Sequence, residues 1–219
     1  MVKRVEAPQE LKEKALEMLK KGFEGNKENL MFKFENKSRR LDEDQIIEYK
    51  DEIQEQMDDT RIIAVLTWKN EDDEVMSIPV NKGMVNQWNT SEDEIFEACK
   101  ENVENEVFYL KGMYEVMTEM TGSDLPDIIP VPEEESMYCL TNKAKLNGAR
   151  VILSKYVKDF LKTQFGEYFI IPSSIHELLI VPVGRTDGGK EALEEIVKQV
   201  NETQVDERDL LSYKVAEIR

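Results

Sequence analysis

Histidine and cysteine, which supply most catalytic bases, thiol nucleophiles and zinc ligands, are scarce in this chain of 219 residues. It contains one histidine, His176, and two cysteines, Cys99 and Cys139. Any mechanism that needs a histidine must therefore use His176. Both cysteines lie among apolar residues, and no C-x-x-C or H-E-x-x-H spacing occurs. We therefore expect buried free thiols and no metal site.

Long apolar runs and basic residues are also lacking. No run approaches the roughly 18 residues that a membrane-spanning helix requires, and the first residues do not form a secretory signal. Lysine and arginine total 29 against 46 aspartate and glutamate residues, which gives a formal net charge of −17. That charge repels phosphate backbones and anionic membranes. We expect a cytoplasmic protein that binds neither nucleic acid nor membranes, with a protein or small-molecule partner of unknown identity.

The residues that are present indicate a globular chain. Hydrophobic residues make up 40% of it and charged residues 34%, and its length suffices for a sizeable core. The helical spacing of apolar residues predicts helices over 8–23 and 43–57, with a short strand over 29–35 between them. We therefore predict a helical N-terminal region, residues 1–60, followed by an α+β domain over residues 61–219.

Residues 61–120 combine a predicted hairpin with helices. Strand-like runs at 61–69 and 75–81 flank an acidic turn, and Pro79 predicts an edge strand or an early end to the second run. Ser91 and Glu94 form a capping box that predicts a helix start. Residues 105–120 fit two interpretations, a strand with a turn or a helix, and we favour a helix for 112–120.

The stretch from Met137 to Val183 organises the remainder of the chain. Asn147-Gly148 is a turn signal, and Ser154 and Gly166 are suited to begin and end a helix. The predicted order is strand, strand, helix, strand, strand and helix, over residues 137–142, 149–154, 154–166, 168–172, 178–183 and 189–201. This ββαββα unit predicts an α+β fold, with a mostly antiparallel sheet and helices packed on it.

The bend between the last two predicted strands carries the single histidine. Ser173, Ser174 and Glu177 flank His176, and one hypothesis is a Ser–His–acid arrangement with His176 as base and Glu177 orienting it. Neighbouring residues of a strand point to opposite faces, which argues against Glu177 reaching the ring. Bends need short polar residues. We therefore favour a structural role, in which serine hydroxyls satisfy backbone groups and His176 holds a hydrogen bond at the sheet end.

A glycine-rich loop joins the final predicted strand to the final helix. Gly184 to Lys190 satisfies the G-x-x-x-x-G-K pattern of a phosphate-binding loop. Glu191, however, replaces the magnesium-binding serine or threonine, and the strands are predicted to be antiparallel, whereas such folds use a parallel sheet. We favour a plain connecting loop and expect no cofactor, although Gly188, Gly189 and Lys190 are candidates for binding a simple anion.

Several segments carry a resemblance to a known family. They are Met137-Tyr-Cys-Leu-Thr-Asn-Lys143, Gly148-Ala149, Ile171-Pro-Ser-Ser-Ile-His-Glu177 and Val200-Asn-Glu-Thr-Gln-Val205, together with Trp88 and the capped helix Ser91–Asn102. Over residues 75–219 the chain resembles a bacterial family of unknown function from clostridial and related gut Firmicutes. The resemblance implies no established activity, substrate or catalytic residue.

Two hypotheses of function remain. The first, which we favour, is a non-enzymatic binding or accessory module, because no complete catalytic set occurs in this acidic chain with one histidine. The second is a small hydrolase or ligand-processing enzyme that uses residues at strand ends, namely Thr141, Asn142, Ser173, Ser174 and His176, with Glu177 as a further candidate. The second hypothesis predicts that these side chains meet in one cleft.

Overall fold

Helices and strands are interspersed along the chain in the computed structural model, which describes residues 9–39, 41, 45–70, 72–121, 135–186, 188–203 and 205–219. Short 3₁₀ helices occupy Glu24–Asn29, Gly148–Leu153 and Val183–Arg185. The α-helices are α1 (Gln9–Lys21), α2 (Glu52–Gln56), α3 (Lys82–Trp88), α4 (Glu92–Glu104), α5 (Met113–Thr121), α6 (Lys155–Phe165) and α7 (Gly189–Thr203). α1 and α7 confirm the helices predicted at 8–23 and 189–201.

The strands pair mainly in antiparallel fashion. They are β1 (Leu30–Asn36), β2 (Glu48–Tyr49), β3 (Thr60–Lys69), β4 (Val75–Pro79), β5 (Phe108–Gly112), β6 (Tyr138–Asn142), β7 (Tyr168–Ile171), β8 (Leu178–Pro182) and β9 (Ala216–Ile218). The pairs β3–β4, β5–β6, β6–β8, β7–β8 and β7–β9 are all antiparallel. The predicted α+β class with mostly antiparallel strands is confirmed.

Strand β3 is central to the first sheet, whose order is β1-β3-β2 with β4 also paired to β3. The predicted hairpin is confirmed, and Trp68 lies opposite Met76 in it. β4 ends at Pro79, in keeping with the missing N–H of proline. An isolated antiparallel bridge then joins Asn81 to Ile46.

The helix predicted over 43–57 is wrong for most of its length. Residues 42–44 lie outside the described residues, Ile46 forms the bridge to Asn81, and strand β2 follows it. Helix α2 is the helical part, and it begins after Asp51, whose carboxylate accepts a backbone N–H as an N-cap. The apolar residues of this segment have helical spacing. The adjacent β-branched isoleucines nevertheless favour extended backbone, and the bridge to Asn81 forms there instead of a helix.

Residues 91–120 follow the sequence predictions closely. Ser91 Oγ accepts from the Glu94 N–H at 3.2 Å, and Glu94 Oε2 accepts from the Ser91 N–H at 2.9 Å, which confirms the capping box. Residues 105–120 contain both a strand and a helix, the two interpretations that the sequence allowed. Strand β5 is followed directly by α5, which confirms the helix favoured for 112–120.

The second sheet positions the candidate site. Its order is β5-β6-β8-β7-β9, so β8 lies between β6 and β7. Leu140 of β6 lies opposite Leu178 of β8, and Ile180 of β8 lies opposite Ile170 of β7. Helix α7 contributes to the core of this sheet, which includes Phe169, Ile171, Val181, Leu193, Val197 and Val215. Because β6 and β8 are antiparallel, the end of β6 lies beside the bend that leads into β8.

The strand predicted over 149–154 is wrong, because Gly148–Leu153 is a 3₁₀ helix. Its residues from Gly148 to Ile152 are buried. A short apolar run fits a buried strand and a buried helical turn equally well, so its period does not decide between them. A strand at 149–154 would have to pair with β6, but both edges of β6 are already occupied, by β5 and by β8.

The described residues divide into two compact units. The first contains those of 1–32, 41–48 and 63–102, and the second contains those of 33–40, 49–62 and 103–219. Unit boundaries fall within β1, β2, β3 and α4, so each unit is assembled from separate stretches of chain. The helical N-terminal region over residues 1–60 and the α+β domain over residues 61–219 stay predictions.

Helix α6 begins at a cap that two residues supply. Ser154 Oγ accepts from the Val157 N–H at 3.2 Å, so this residue is the N-cap that the sequence predicts. Glu104 accepts from Ser154 Oγ at 2.8 Å and from the Lys155 N–H at 2.5 Å. Burial raises the pKa of the Glu104 carboxyl, but the hydrogen bonds to its ionised form outweigh burial, and the net pKa is lowered.

Replacing Glu104 with glutamine is expected to destabilise the protein at neutral pH by about 0.5–1 kcal/mol, because the negative charge at the helix N-terminus is lost. The pKa of Glu104 in the folded chain is below its ordinary value of 4.5. Its contribution is therefore complete above that value and is lost as pH falls through the lowered pKa. Urea unfolding of both proteins across this pH range measures the difference.

The matched control for this prediction is Glu195→Gln, which removes one exposed carboxylate from the middle of α7. We expect that control to leave stability almost unchanged at every pH. A stability difference for Glu104→Gln that does not shrink below pH 4.5 would contradict the role of the ionised carboxylate.

Candidate functional site

The bend between β7 and β8 is held by its own polar groups. The Ser174 N–H donates to the Glu177 carbonyl at 3.1 Å, and Ser174 Oγ accepts from the His176 N–H at 3.0 Å. The Ser173 N–H donates to the Ile171 carbonyl at 3.0 Å. Ser174 thus satisfies backbone groups of the bend, as short polar residues commonly do.

Both ring nitrogens of His176 face polar partners. Nδ1 accepts a hydrogen bond of 3.0 Å from the Asn147 N–H. Nε2 lies 3.4 Å from Asp209 Oδ1, and the Asp209 carbonyl accepts from the Ile175 N–H at 3.0 Å. An Nδ1 that accepts a hydrogen bond is unprotonated, so the neutral ring carries its proton on Nε2, facing Asp209. His176 therefore connects the bend to the turn at Asn147 and to the segment at Asp209.

Thr141 and Asn142, at the end of β6, contact the same region. Thr141 Oγ1 donates to the His176 carbonyl at 2.8 Å. Asn142 Oδ1 accepts from the Leu146 N–H at 3.1 Å, and Asn142 Nδ2 donates to the Leu146 carbonyl at 2.9 Å. A Cβ atom at Gly148 would collide with Thr141 Oγ1 and with the His176 carbonyl. Glycine is therefore required where the turn passes close to the strand end.

An ion pair with little solvent exposure supports Asn142. Arg150 donates to Glu106 through Nε at 2.9 Å and through a second guanidinium nitrogen at 2.6 Å. Asn142 Nδ2 donates to Glu106 Oε1 at 2.8 Å. Charges in such a place are tolerated when they are paired and hydrogen-bonded, as these are. The pair therefore fastens the 3₁₀ helix Gly148–Leu153 to the end of β6.

Ser173 and Glu177 face a different neighbour, the thiol of Cys139. Glu177 accepts from Ser173 Oγ at 3.3 Å and from Cys139 Sγ at 3.4 Å. Burial and the negative charge of Glu177 raise the pKa of Cys139 to about 12. The thiol is therefore protonated at neutral pH and is a poor nucleophile. Cys139 and Cys99 are both buried and neither forms a disulfide, which confirms the predicted buried thiols.

The six candidate residues thus lie at one end of the second sheet, but in separate hydrogen-bonded groups. Thr141, Asn142 and His176 surround the turn before Gly148, whereas Ser173 and Glu177 join Cys139. Among the described residues, no hydroxyl of the bend is hydrogen-bonded to the His176 ring. A general base must lie within reach of the proton it takes, and this arrangement lacks such a pair.

The glycine-rich loop follows a strand, β8, that is antiparallel to both of its neighbours, β6 and β7. Gly189, with a φ of +64°, is the first residue of α7. A Cβ atom at Gly188 would collide with Ala192. Asp187 lies outside the described residues. Anion binding by Gly188, Gly189 and Lys190 stays a prediction.

Within the part of the chain that the structure describes, no three His, Cys, Asp or Glu side chains gather closely enough to hold a metal ion. None of the described helices has the length and apolar character needed to cross a membrane.

Sequence reasoning missed a second polar cluster, which holds residues 211–213. Asn36 and Asn201 each donate a side-chain N–H to a carbonyl of this segment, at 3.0 and 2.8 Å. Asp59 accepts from a hydroxyl and from a backbone N–H of the segment, at 2.5 and 2.9 Å. We term Asn36, Asp59 and Asn201 the 211–213 clamp. Its members come from separate elements of the second unit.

A cavity of about 570 Å³ opens beside the clamp. Small-molecule sites commonly have volumes of about 300–1,000 Å³, so the cavity has the size of a ligand site. Asn201 and Val205 belong to the Val200–Val205 segment that supports the family resemblance. The sequence of that segment did not indicate a binding or catalytic role. The cavity is lined by Asn36, Lys37, Ser38, Asp59, Asn201, Val205, Glu207, Leu210 and Tyr213.

Comparison with known proteins matched a family model to nearly the whole chain. The model, described as "Family of unknown function (DUF5688)", covers residues 8–217. The match therefore includes the N-terminal region that lay outside the resemblance at 75–219. No curated protein and no solved structure matched the chain significantly.

Cys139 is expected to resist alkylation while the protein is folded. With a pKa raised from 9.0 to about 12, the reactive thiolate is roughly a thousandfold scarcer at a given pH than in an unshifted cysteine. Iodoacetamide labelling followed by mass spectrometry should therefore modify Cys139 about a thousandfold more slowly in the folded protein than in urea. Labelling of the folded protein at nearly the unfolded rate would contradict the environment described.

His176→Ala is expected to lower the melting temperature by about 3–6 °C, because the Asn147 N–H loses its acceptor. The matched variant is His176→Asn, whose side-chain oxygen can occupy the position of Nδ1. We expect that variant to recover part of the loss, and nitrogen NMR of the wild type to show the Nε2-protonated neutral ring. Equal losses in both variants, or a proton on Nδ1, would contradict this hydrogen bond.

Proposed function

We propose a non-enzymatic binding function for this chain, which belongs to a family of unknown function (DUF5688). The ligand site is the cavity beside the 211–213 clamp. The observation that carries the proposal is the volume of about 570 Å³ together with the polar groups fixed in its wall. Ligand sites of this kind combine apolar surface with a few well-placed polar groups.

The polar wall of the cavity is held in place before any ligand arrives. Asn36 and Asn201 are buried and are fixed by their hydrogen bonds to residues 211–213. Asn36 Oδ1 also accepts from the Ser38 N–H at 2.8 Å, and Lys37 Nζ donates to the Asp58 carbonyl at 2.7 Å. Fixed side chains lose little conformational entropy when a ligand binds, which favours affinity.

The lining also indicates the kind of ligand. Val205, Leu210 and Tyr213 offer apolar surface, and the amide groups of Asn36 and Asn201 lie in the same wall. The charged residues of the lining, Lys37, Asp59 and Glu207, do not sum to a strong charge of either sign. We infer a small neutral ligand that carries hydrogen-bonding groups and one apolar face.

The hydrolase alternative has weaker support at the bend. Catalysis there requires His176 to act on a serine or threonine hydroxyl, and Thr141 and Ser173 donate elsewhere, to the His176 carbonyl and to Glu177. The His176 ring is engaged by Asn147 and faces Asp209. An enzyme would have to break these hydrogen bonds to assemble a nucleophile and base, whereas a binding module retains them.

A screen of neutral fragments, each with amide or hydroxyl groups and one apolar face, tests the proposal by protein-observed NMR. We expect amide shifts around Ser38, Asn201 and Tyr213, and each fragment recovered chemically unchanged. Val205→Trp should abolish these shifts by occupying the cavity. The matched control, Val200→Trp, places the same indole on exposed α7 outside the lining and should leave binding intact.

Two results would contradict the binding proposal. One is a set of shifts confined to residues 173–177, with fragments consumed at a rate that falls in His176→Asn. The other is binding that survives Val205→Trp with unchanged affinity, since the bound fragment would then lie outside the cavity.

A further inference from the structure

A smaller cavity of about 230 Å³ lies elsewhere in the second unit. It is bounded by the start of α2, by one face of α6, by strand β7 and by the edge strand β9. Ile53 and Ile218 supply apolar wall. The polar lining consists of Glu52, Lys158, Asp159, Lys162 and Tyr168. No residue of this lining belongs to the candidate site or to the 211–213 clamp.

Tyr168 gives this cavity a polar group without a partner. Its side chain is 1% exposed, yet it lines the cavity. The Tyr168 hydroxyl takes part in none of the hydrogen bonds that the described residues form. Because Tyr168 lines the cavity, its hydroxyl can donate to a ligand without first breaking a hydrogen bond to a described residue. Burial and the nearby charge of Glu52 raise the pKa of Tyr168 to about 12, so the hydroxyl is a donor at neutral pH.

The charged groups at the cavity differ in how fully they are paired. Lys158 Nζ lies 2.8 Å from Asp51 Oδ2, and Asp159 Oδ2 lies 2.5 Å from Lys155 Nζ. Lys162, by contrast, forms no ion pair with any described residue. Its ammonium is therefore available to a ligand carboxylate, together with the Tyr168 hydroxyl.

Glu52 supplies the complementary charge. Its closest ion-pair contact is a long one, 3.8 Å from Oε1 to Lys158 Nζ. That lysine is already paired more closely with Asp51. A ligand ammonium can therefore compete for Glu52. An anion without a positive group would meet the weakly paired carboxylate of Glu52, whose charge would repel it.

We propose that this cavity binds a small zwitterion of the amino-acid class. The ligand carboxylate contacts Lys162 and the Tyr168 hydroxyl, the ligand ammonium contacts Glu52, and an aliphatic side chain contacts Ile53 and Ile218. A volume of about 230 Å³ is enough for a small aliphatic amino acid, and valine serves as the probe.

Titration with L-valine, followed by amide NMR and calorimetry, tests the proposal. We expect saturable shifts at Ile53, Lys162 and Tyr168, with a Kd of about 1 mM for a ligand of this size. Isovalerate lacks the ammonium and isobutylamine lacks the carboxylate, and each should bind at least about tenfold more weakly than valine.

Three variants test the contacts separately. Tyr168→Phe removes the hydroxyl and keeps the ring, and should weaken valine binding about fivefold. Lys162→Met and Glu52→Gln should each weaken it by about tenfold or more. The matched control is Lys198→Met, which removes an exposed lysine from α7, outside the cavity, and should leave the affinity unchanged.

The proposal is overturned if valine produces no saturable shifts, or if isovalerate binds as tightly as valine, since the ammonium contact would then be absent. It is also overturned if Lys162→Met and Lys198→Met behave alike. Shifts that valine causes only around Ser38, Asn201 and Tyr213 would overturn it too, and would instead place valine in the larger cavity. The two sites share no lining residue, so the failure of one leaves the other intact.

Discussion

The antiparallel pairing of β6 with β8 is the constraint on which the bend and its surroundings depend. A 3₁₀ helix, α6 and β7 separate these strands in the chain, yet Leu140 lies opposite Leu178. This register brings Thr141 to the His176 carbonyl and places the Asn147 N–H against the His176 ring. A slip of one residue would turn every side chain of the strand to the other face and separate these partners.

Prediction from the sequence succeeded where short-range physics decides the structure. The Ser91–Glu94 capping box and the cap at Ser154 depend on residues three positions apart, and they form as expected. The assignments at 43–57 and 149–154 failed because the deciding factor was the availability of a strand edge. Ile46 bridges to Asn81 and β2 pairs with β3, whereas residues 149–154 have no strand to join, since β5 and β8 occupy both edges of β6.

The same distinction separates the part of the site that was foreseen from the part that was missed. The bend at 173–177 was selected because its polar residues are consecutive. The 211–213 clamp joins Asn36 to a carbonyl 175 residues away, and such a pairing leaves no pattern in spacing or composition. Asn201 belongs to a segment that carries the family resemblance. Its hydrogen bond to the Ser212 carbonyl depends on the folded structure and could not be predicted from the segment itself.

Hydrogen-bond satisfaction separates structural polar groups from available ones better than residue type does. His176, Asn142 and Glu177 are the more reactive or more polar side chains, yet each already has partners at its polar atoms. Tyr168 is chemically milder, but its hydroxyl faces a cavity without a described partner. A paired group must break a hydrogen bond before it can bind a ligand, whereas a hydroxyl that only faces a cavity can donate to a ligand at once.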